Sequence, residues 1–423
     1  MTGPGLSYDQ APPLGLPLRF FLVAPLFLAL AGSFAFFSGG SLYASRWNPA
    51  TLAVTHLLTL GFLGLTMIGA LLQMMPVVLG ARLPAVRPVA WAGLIGIGFG
   101  TLTLATGLAS GEAAFLIAAA ALLAAGLLPF LVAMLLGVAR SNAVSVVAWP
   151  MRQAWLGLLA VLVLGIWLVF ALTGHVAMPD VVMLTDSHMI WGLGGWVLIL
   201  VTGVAYQVVP MLQLTPAYPV PATRWLTWFM LVGLAGYTTS RFVPGVDPGL
   251  ADVSLWFSAG SALAFALLTL WLQKRRRRKL GDATLSFWRF GMVCLAGVAI
   301  ALPFTQDEKM QIMLAALFLL GFAASVVCGM LYKIVPFLAW FHLQAQRPGQ
   351  AMTIPYMKQF VSEKMAARHL HLHVTGTVLV SAAPWLPGFV SQAGALAWMA
   401  SSGLLWLNLL RARRLFLASG GIL

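Results

Sequence analysis

Between Arg46 and Arg82 the chain carries no Asp, Glu, Lys or Arg. Uncharged stretches of this kind recur along its length and constrain the fold more than any motif. A helix needs about 20 apolar residues to cross a bilayer, and inside hydrocarbon every backbone N–H and C=O must be satisfied within the segment. Apolar runs separated by charge or by Pro and Gly predict twelve spans, at 17–39, 51–80, 89–110, 113–139, 153–174, 187–213, 225–243, 250–273, 288–304, 310–340, 369–388 and 391–411. Composition agrees: 61 % of the residues are hydrophobic and 8 % charged, where a soluble protein carries about 25 % charged residues. The expected class is an all-α polytopic membrane protein. Its solvent is the lipid bilayer, with tails at 1–16 and 412–423 around a transmembrane domain at 17–411.

The net charge of +14 could suggest nucleic-acid binding. In a chain of this composition it reads instead as topology, because cytoplasmic loops collect Lys and Arg. With both termini in the cytoplasm, only Arg46, Arg241 and Lys309 of the 24 basic residues fall outside. The acids Glu112, Asp180, Asp186, Asp247, Asp252, Asp307 and Glu308 also fall outside. The expected location is therefore a bacterial-type inner membrane. The run Lys274 to Lys279 is read as a topology anchor, with anionic lipid headgroups as a second use. Phe360, Val361, Met365 and Leu372 beside Lys358, Lys364 and Arg368 suggest an interfacial helix in the 341–368 loop. Cys294 and Cys328 lie inside apolar runs and read as small buried hydrophobes.

Three segments repeat: Gly69 to Pro76, Gly203 to Pro210 and Gly329 to Pro336, in the form Gly-x-x-apolar/Tyr-Gln/Lys-apolar-apolar-Pro. Four spans separate each copy from the next, so the twelve spans are expected as three pseudo-equivalent four-helix units. Each proline frees the carbonyl four residues earlier, on Leu72, Tyr206 and Tyr332. Such backbone is tolerated at membrane depth where protein or a cavity surrounds it, so these helices are expected to face the interior.

The seven histidines form two groups. His56, His175 and His188 lie towards the outer face; His342, His369, His371 and His373 lie towards the inner face. His56 precedes Gly69 much as His188 precedes Gly203, and ionisable groups within spans point to function. Two imidazoles from facing helices suit a six-coordinate haem iron, with Gly61, Gly64, Gly192, Gly194 and Gly195 as small neighbours for a flat macrocycle. Met313 or Met310 is a second axial choice, and Arg46 and Arg241 are the arginines available for propionates. A copper or zinc site on His56, His188 and His175 is a further option. The other reading is an imidazole hydrogen-bonded to backbone. In a helix, His369 and His373 share a face and His371 points away; in an extended chain all three share one face. Either form could bind metal with His342.

The twelve-span, three-unit pattern, with Thr55-His56-Leu57-Leu58 running to Pro76 and with Gly329 to Pro336, resembles subunit I of the haem-copper oxidase superfamily. The nearest branch looks to be the NnrS-like and uncharacterised oxidase-like membrane proteins, which are associated with haem and copper. The resemblance implies a low-spin b-type haem on His56. It departs where that family reduces oxygen: Lys309 to Met313 holds no His-x-His, and residues 214–250 hold no histidine. The expectation is a haem-binding membrane protein that is not a terminal oxidase. It would act in electron transfer, in nitric-oxide or other gas-related chemistry, or in haem or copper handling, with a redox partner protein or quinol. The alternatives are a three-repeat transporter or channel lined by Gln73, Gln207 and Lys333, and an assembly subunit on a degenerate haem scaffold.

Overall fold

The computed structural model describes residues 12–80, 83–140, 145–177, 180–278, 280–305, 307–347 and 354–423. Arg82, Lys279 and residues 1–11 of the expected N-terminal tail lie outside them. The described residues form helices and connecting turns, with no strand among them. The long helices are α1 (Gly15–Ser38), α2 (Pro49–Leu79), α3 (Val86–Ser110), α4 (Ala113–Ala139), α5 (Ala148–Leu172), α6 (Val181–Gln213), α7 (Val220–Phe242), α8 (Gly249–Lys274), α9 (Ala283–Ala301), α10 (Glu308–Gln346), α11 (Glu363–Ala382) and α12 (Gly388–Ala418). Among the described residues, ten helices are long and apolar enough to cross a membrane; α7 and α11 are not among them. This is a multi-pass membrane architecture. Large side chains such as Phe99, Trp149, Trp256 and Phe257 stay exposed, as a lipid-facing surface requires.

One local expectation is corrected. The 341–368 segment forms no interfacial amphipathic helix among its described residues. α10 continues to Gln346, a single turn covers Met357–Phe360, and α11 already begins at Glu363. Phe360 is buried instead of facing a membrane surface. The 412–423 segment packs against the bundle. α12 runs to Ala418, Phe416 is buried, and the Ile422 N–H donates to Gln346 Oε1 at 2.9 Å.

α2, α6 and α10 are the inner helices. Of the residues in their most apolar stretches, 83, 72 and 78 % are buried, against at most 50 % in the other seven spans. Each starts on an Asx cap whose side chain accepts backbone N–H groups left open by the first turn. These are Asn48 from Ala50, Asp180 from Val182 and Met183, and Asp307 from Met310. Each then passes through an eight-residue π-helical stretch: Leu57–Gly64, Trp191–Leu198 and Leu317–Ala324. Each returns to α-helix and contains the repeat proline, Pro76, Pro210 or Pro336.

Glycine explains how these helices sit so deep. A Cβ on Gly61 would strike Phe27, and one on Gly69 would strike Phe20; both partners are on α1. Gly195 and Gly203 meet Gly157 and Pro150 on α5, while Gly321 and Gly329 meet Cys294 and Phe287 on α9. The same two positions of each inner helix thus press against the same two positions of the helix before it. The third and fourth helices after each such start pack as pairs, α3 with α4, α7 with α8 and α11 with α12, and α1 packs on α12.

Candidate functional site

The N-terminal ends of α2 and α6 bring His56 and His188 together. Their ring centroids are 6.2 Å apart and the rings are inclined by 27°. Two imidazoles on opposite sides of one metal, with bonds of about 2 Å, place their ring centres roughly 6 Å apart. His56 Nδ1 lies 2.8 Å from the Leu52 carbonyl one turn earlier, which fixes the ring and leaves Nε2 as the open nitrogen. The backbone group that interacts with the His188 ring is the Val161 carbonyl of α5, although Nδ1 has no partner of good hydrogen-bond geometry. Gly165, also on α5, makes room for that ring: a Cβ there would lie 3.0 Å from His188 Cε1. The two histidines are not equivalent in the repeat. The π stretch starts immediately after His56 but three residues after His188. They meet because the inner helices face one another.

The glycines near this pair do not form a cradle for a macrocycle. Gly61 packs on Phe27, Gly194 on Leu234, Gly195 on Gly157 and Gly192 on Val161, while Gly64 faces its own helix at the Thr59 carbonyl. All but Gly64 are helix–helix contacts. Arg46 is already committed. Its Nη1 donates to Asp186 Oδ1 at 2.6 Å and its guanidinium stacks on Trp47, while the backbone N–H donates to Glu308 Oε1 at 2.8 Å. Ser45 Oγ donates to the same Glu308 oxygen at 2.6 Å. Residues 45 and 46, which lead into α2, therefore clasp the beginnings of α6 and α10. Arg241 stacks on the Tyr237 ring at 5.5 Å. Asp186, Arg46 and Arg241 all act electrostatically on Tyr237, so both arginines do stand at the histidine end.

The other expected ligands separate. His175 is exposed beyond the end of α5, bonded to Thr173 Oγ1 at 2.9 Å and edge-on to Phe170. Among the described residues it joins no group of metal-ligating side chains with His56 and His188. Met313 is half-buried on α10, packed against the main core. His342 is buried, with Nδ1 3.0 Å from the Leu338 carbonyl and Nε2 3.2 Å from the Pro12 carbonyl. Both of its nitrogens face backbone, so it acts as a structural tie. His371 is exposed on α11 while His369 and His373 are buried, as the helical reading of that cluster requires.

Among the described residues, one group of three side chains is placed to hold a metal: Cys328, His369 and His373. Cys328 is on α10 and the two histidines are one turn apart on α11. All three are buried, and their ligand atoms lie within 4.8 Å of one another. His369 Nδ1 lies 2.8 Å from Tyr332 Oη, which accepts from Asn408 Nδ2 of α12 at 3.0 Å. His373 Nε2 lies 2.9 Å from Ser325 Oγ and 3.1 Å from the Leu320 carbonyl within the π stretch of α10. The remaining nitrogens, His369 Nε2 and His373 Nδ1, have no hydrogen-bond partner. Phe287 of α9 closes the site, its ring 5.0 and 5.6 Å from the two imidazoles. Cys328 is buried, as its apolar run implies, and it also stands beside the two histidines. The signal available in the sequence was its one-turn spacing to Tyr332 in the third repeat.

The C-terminal halves of α2, α6 and α10 line two partly open cavities of about 70 Å³ each. Gln73 and Gln207 border one of them with Ile334, Phe337 and Met211; the other runs past Thr66, Val204 and Trp288. Lys333 lines neither. Its Nζ donates to Asp282 Oδ2 at 2.9 Å, at the start of α9. The polar route expected from Gln73, Gln207 and Lys333 is therefore an apolar gap with the lysine turned away. Compared with known proteins, the chain matches no family model and no curated protein.

Proposed function

We propose that this chain is a haem-binding integral membrane protein built on the plan of haem-copper oxidase subunit I, with twelve spans in three four-helix units and both termini cytoplasmic. The single observation that carries the haem reading is the His56–His188 pair, 6.2 Å between ring centres and 27° from parallel. His56 and His188 would hold one iron between them. Supporting the three-unit plan are the three π stretches and the matching glycine contacts of α2 on α1, α6 on α5 and α10 on α9. Haem, when bound, supplies one-electron chemistry. The protein's part is to hold both imidazoles: Leu52 orients His56, Gly165 admits His188, and the Arg46–Asp186 pair ties the two helix ends together. The partner in such a reaction is a redox protein or quinol.

The test is the visible spectrum of the purified protein. A Soret band with low-spin bis-imidazole features is expected in the wild type. His56→Ala and His188→Ala are each expected to lose the pigment or turn it high-spin. A colourless, iron-free protein with both histidines intact overturns the reading.

A further inference from the structure

We propose that Cys328, His369 and His373 form a buried binding site for a single cuprous ion, separate from the His56–His188 pair. Four observations carry it. The first is placement: three ligand atoms of the types that bind soft metals lie within 4.8 Å of one another, in the core. Around one ion with bonds of about 2.0–2.3 Å, a closing shift of about 1 Å completes the site.

The second is the state of the imidazoles. Ser325 Oγ donates to the Leu320 carbonyl, so near His373 Nε2 the two oxygens act as acceptors. That nitrogen therefore carries the proton, and the lone pair sits on Nδ1, which is buried and unpartnered. A ligating histidine is normally fixed in this way by a hydrogen bond at its other nitrogen. At His369 the open nitrogen is Nε2, and Tyr332 Oη holds Nδ1. Metal at Nε2 requires the proton on Nδ1. The Tyr332 oxygen, already accepting from Asn408, then accepts from Nδ1 with its second lone pair.

The third is charge. Among the described residues no Asp, Glu, Lys or Arg is fully buried. A cuprous ion on one thiolate and two neutral imidazoles sums to zero. A divalent zinc ion would leave +1 in a region with no buried carboxylate to offset it, and burying unpaired charge is costly. The fourth is ligand number: three protein ligands meet there, and a structural zinc site takes four. Binding exchanges the Cys328 S–H proton for the metal and releases one proton per ion.

The test is anaerobic titration of the full-length, detergent-purified protein, stripped with a chelator, with Cu(I) against a chromophoric Cu(I) chelator. Copper X-ray absorption then follows. The expected result is one Cu(I) per chain with one sulfur and two nitrogen ligands. Cys328→Ser and His373→Ala should weaken binding at least 100-fold. Tyr332→Phe keeps all three ligands but loses an outer hydrogen bond, and should weaken binding about 10-fold. His371→Ala, which alters an exposed neighbour on the same helix, should leave binding unchanged. Far-UV circular dichroism and gel filtration identify variants that fold. If Cys328→Ser does not fold, Tyr332→Phe and His371→Ala decide. The proposal is overturned by no binding beyond background, by a copper–sulfur-free spectrum, by equal losses in the His371 and His373 variants, or by zinc displacing copper at equal concentration.

Discussion

At the scale of single residues, the two sites differ in how they could be seen beforehand. His56 and His188 were legible because an ionisable side chain inside an apolar run stands out and because both precede a repeat glycine. Their partners were not. Gly165 lies on α5, and only the packing of α5 on α6 reveals that a Cβ there would stand 3.0 Å from the His188 ring. Arg46 was legible as a cation at the histidine end, but its engagement with Asp186 and Glu308 was not. Cys328 is buried as expected, but its nearness to the α11 histidines could not be read, because burial and metal ligation look alike until α11 is brought against it. One consequence belongs to Gly165. Gly165→Val should push the His188 ring from its place at a packing cost of about 1–3 kcal/mol. A folded protein with weakened or high-spin haem, judged by its absorption spectrum, is expected. An unchanged spectrum would mean that His188 is not held there.

At the scale of elements, the repeat was readable only in part. The Gly and Pro of each copy were visible, and the inward position of α2, α6 and α10 follows from them and is met by their burial. The π stretches were not foreseen. They coincide with a second glycine per copy, Gly61, Gly195 and Gly321, each pressed against the preceding helix. π turns leave carbonyls without their usual partners and often mark functional positions; Leu320, which accepts from His373 and Ser325, is one such carbonyl. The contact of Gly157 with Gly195 is backbone on backbone, so no side chain can yield. Gly157→Val should therefore destabilise the bundle by about 3 kcal/mol, seen as a lower melting temperature in detergent. The start of α9 offers a pH test. Asp282 caps that helix and holds Lys333. Burial alone would raise its carboxyl, but the Lys333 and Leu285 hydrogen bonds and the nearby Lys333 and Arg276 charges outweigh it and hold it below the usual value. Its contribution is then fully present above the unfolded carboxylate value of about 4 and is lost as the pH falls through the lower folded value. Asp282→Asn should lower stability by about 1 kcal/mol at pH 7, with the gap to wild type closing towards pH 3.

At the scale of the whole molecule, the orientation of both sites depends on which side of the membrane each end of α2, α6 and α10 occupies. The helix pattern fixes that these ends are opposite, and the charges decide between the two arrangements. Arg277 lies in the basic run after α8 and Asp247 in the acidic turn before it, and both are exposed. The turn between α7 and α8 holds Asp247 beside Gly249, whose N–H it caps at 2.8 Å. If basic loops stay on the cytoplasmic side, the His56–His188 pair opens to the outside and the Cys328 site lies nearer the cytoplasm. Single cysteines at both positions test this, because the native Cys294 and Cys328 are buried. In intact cells, a membrane-impermeant thiol reagent is expected to label Asp247→Cys and to miss Arg277→Cys, which becomes reactive only once the membrane is opened. The reverse pattern would put the imidazole pair at the cytoplasmic face and the Cys328 group towards the outside.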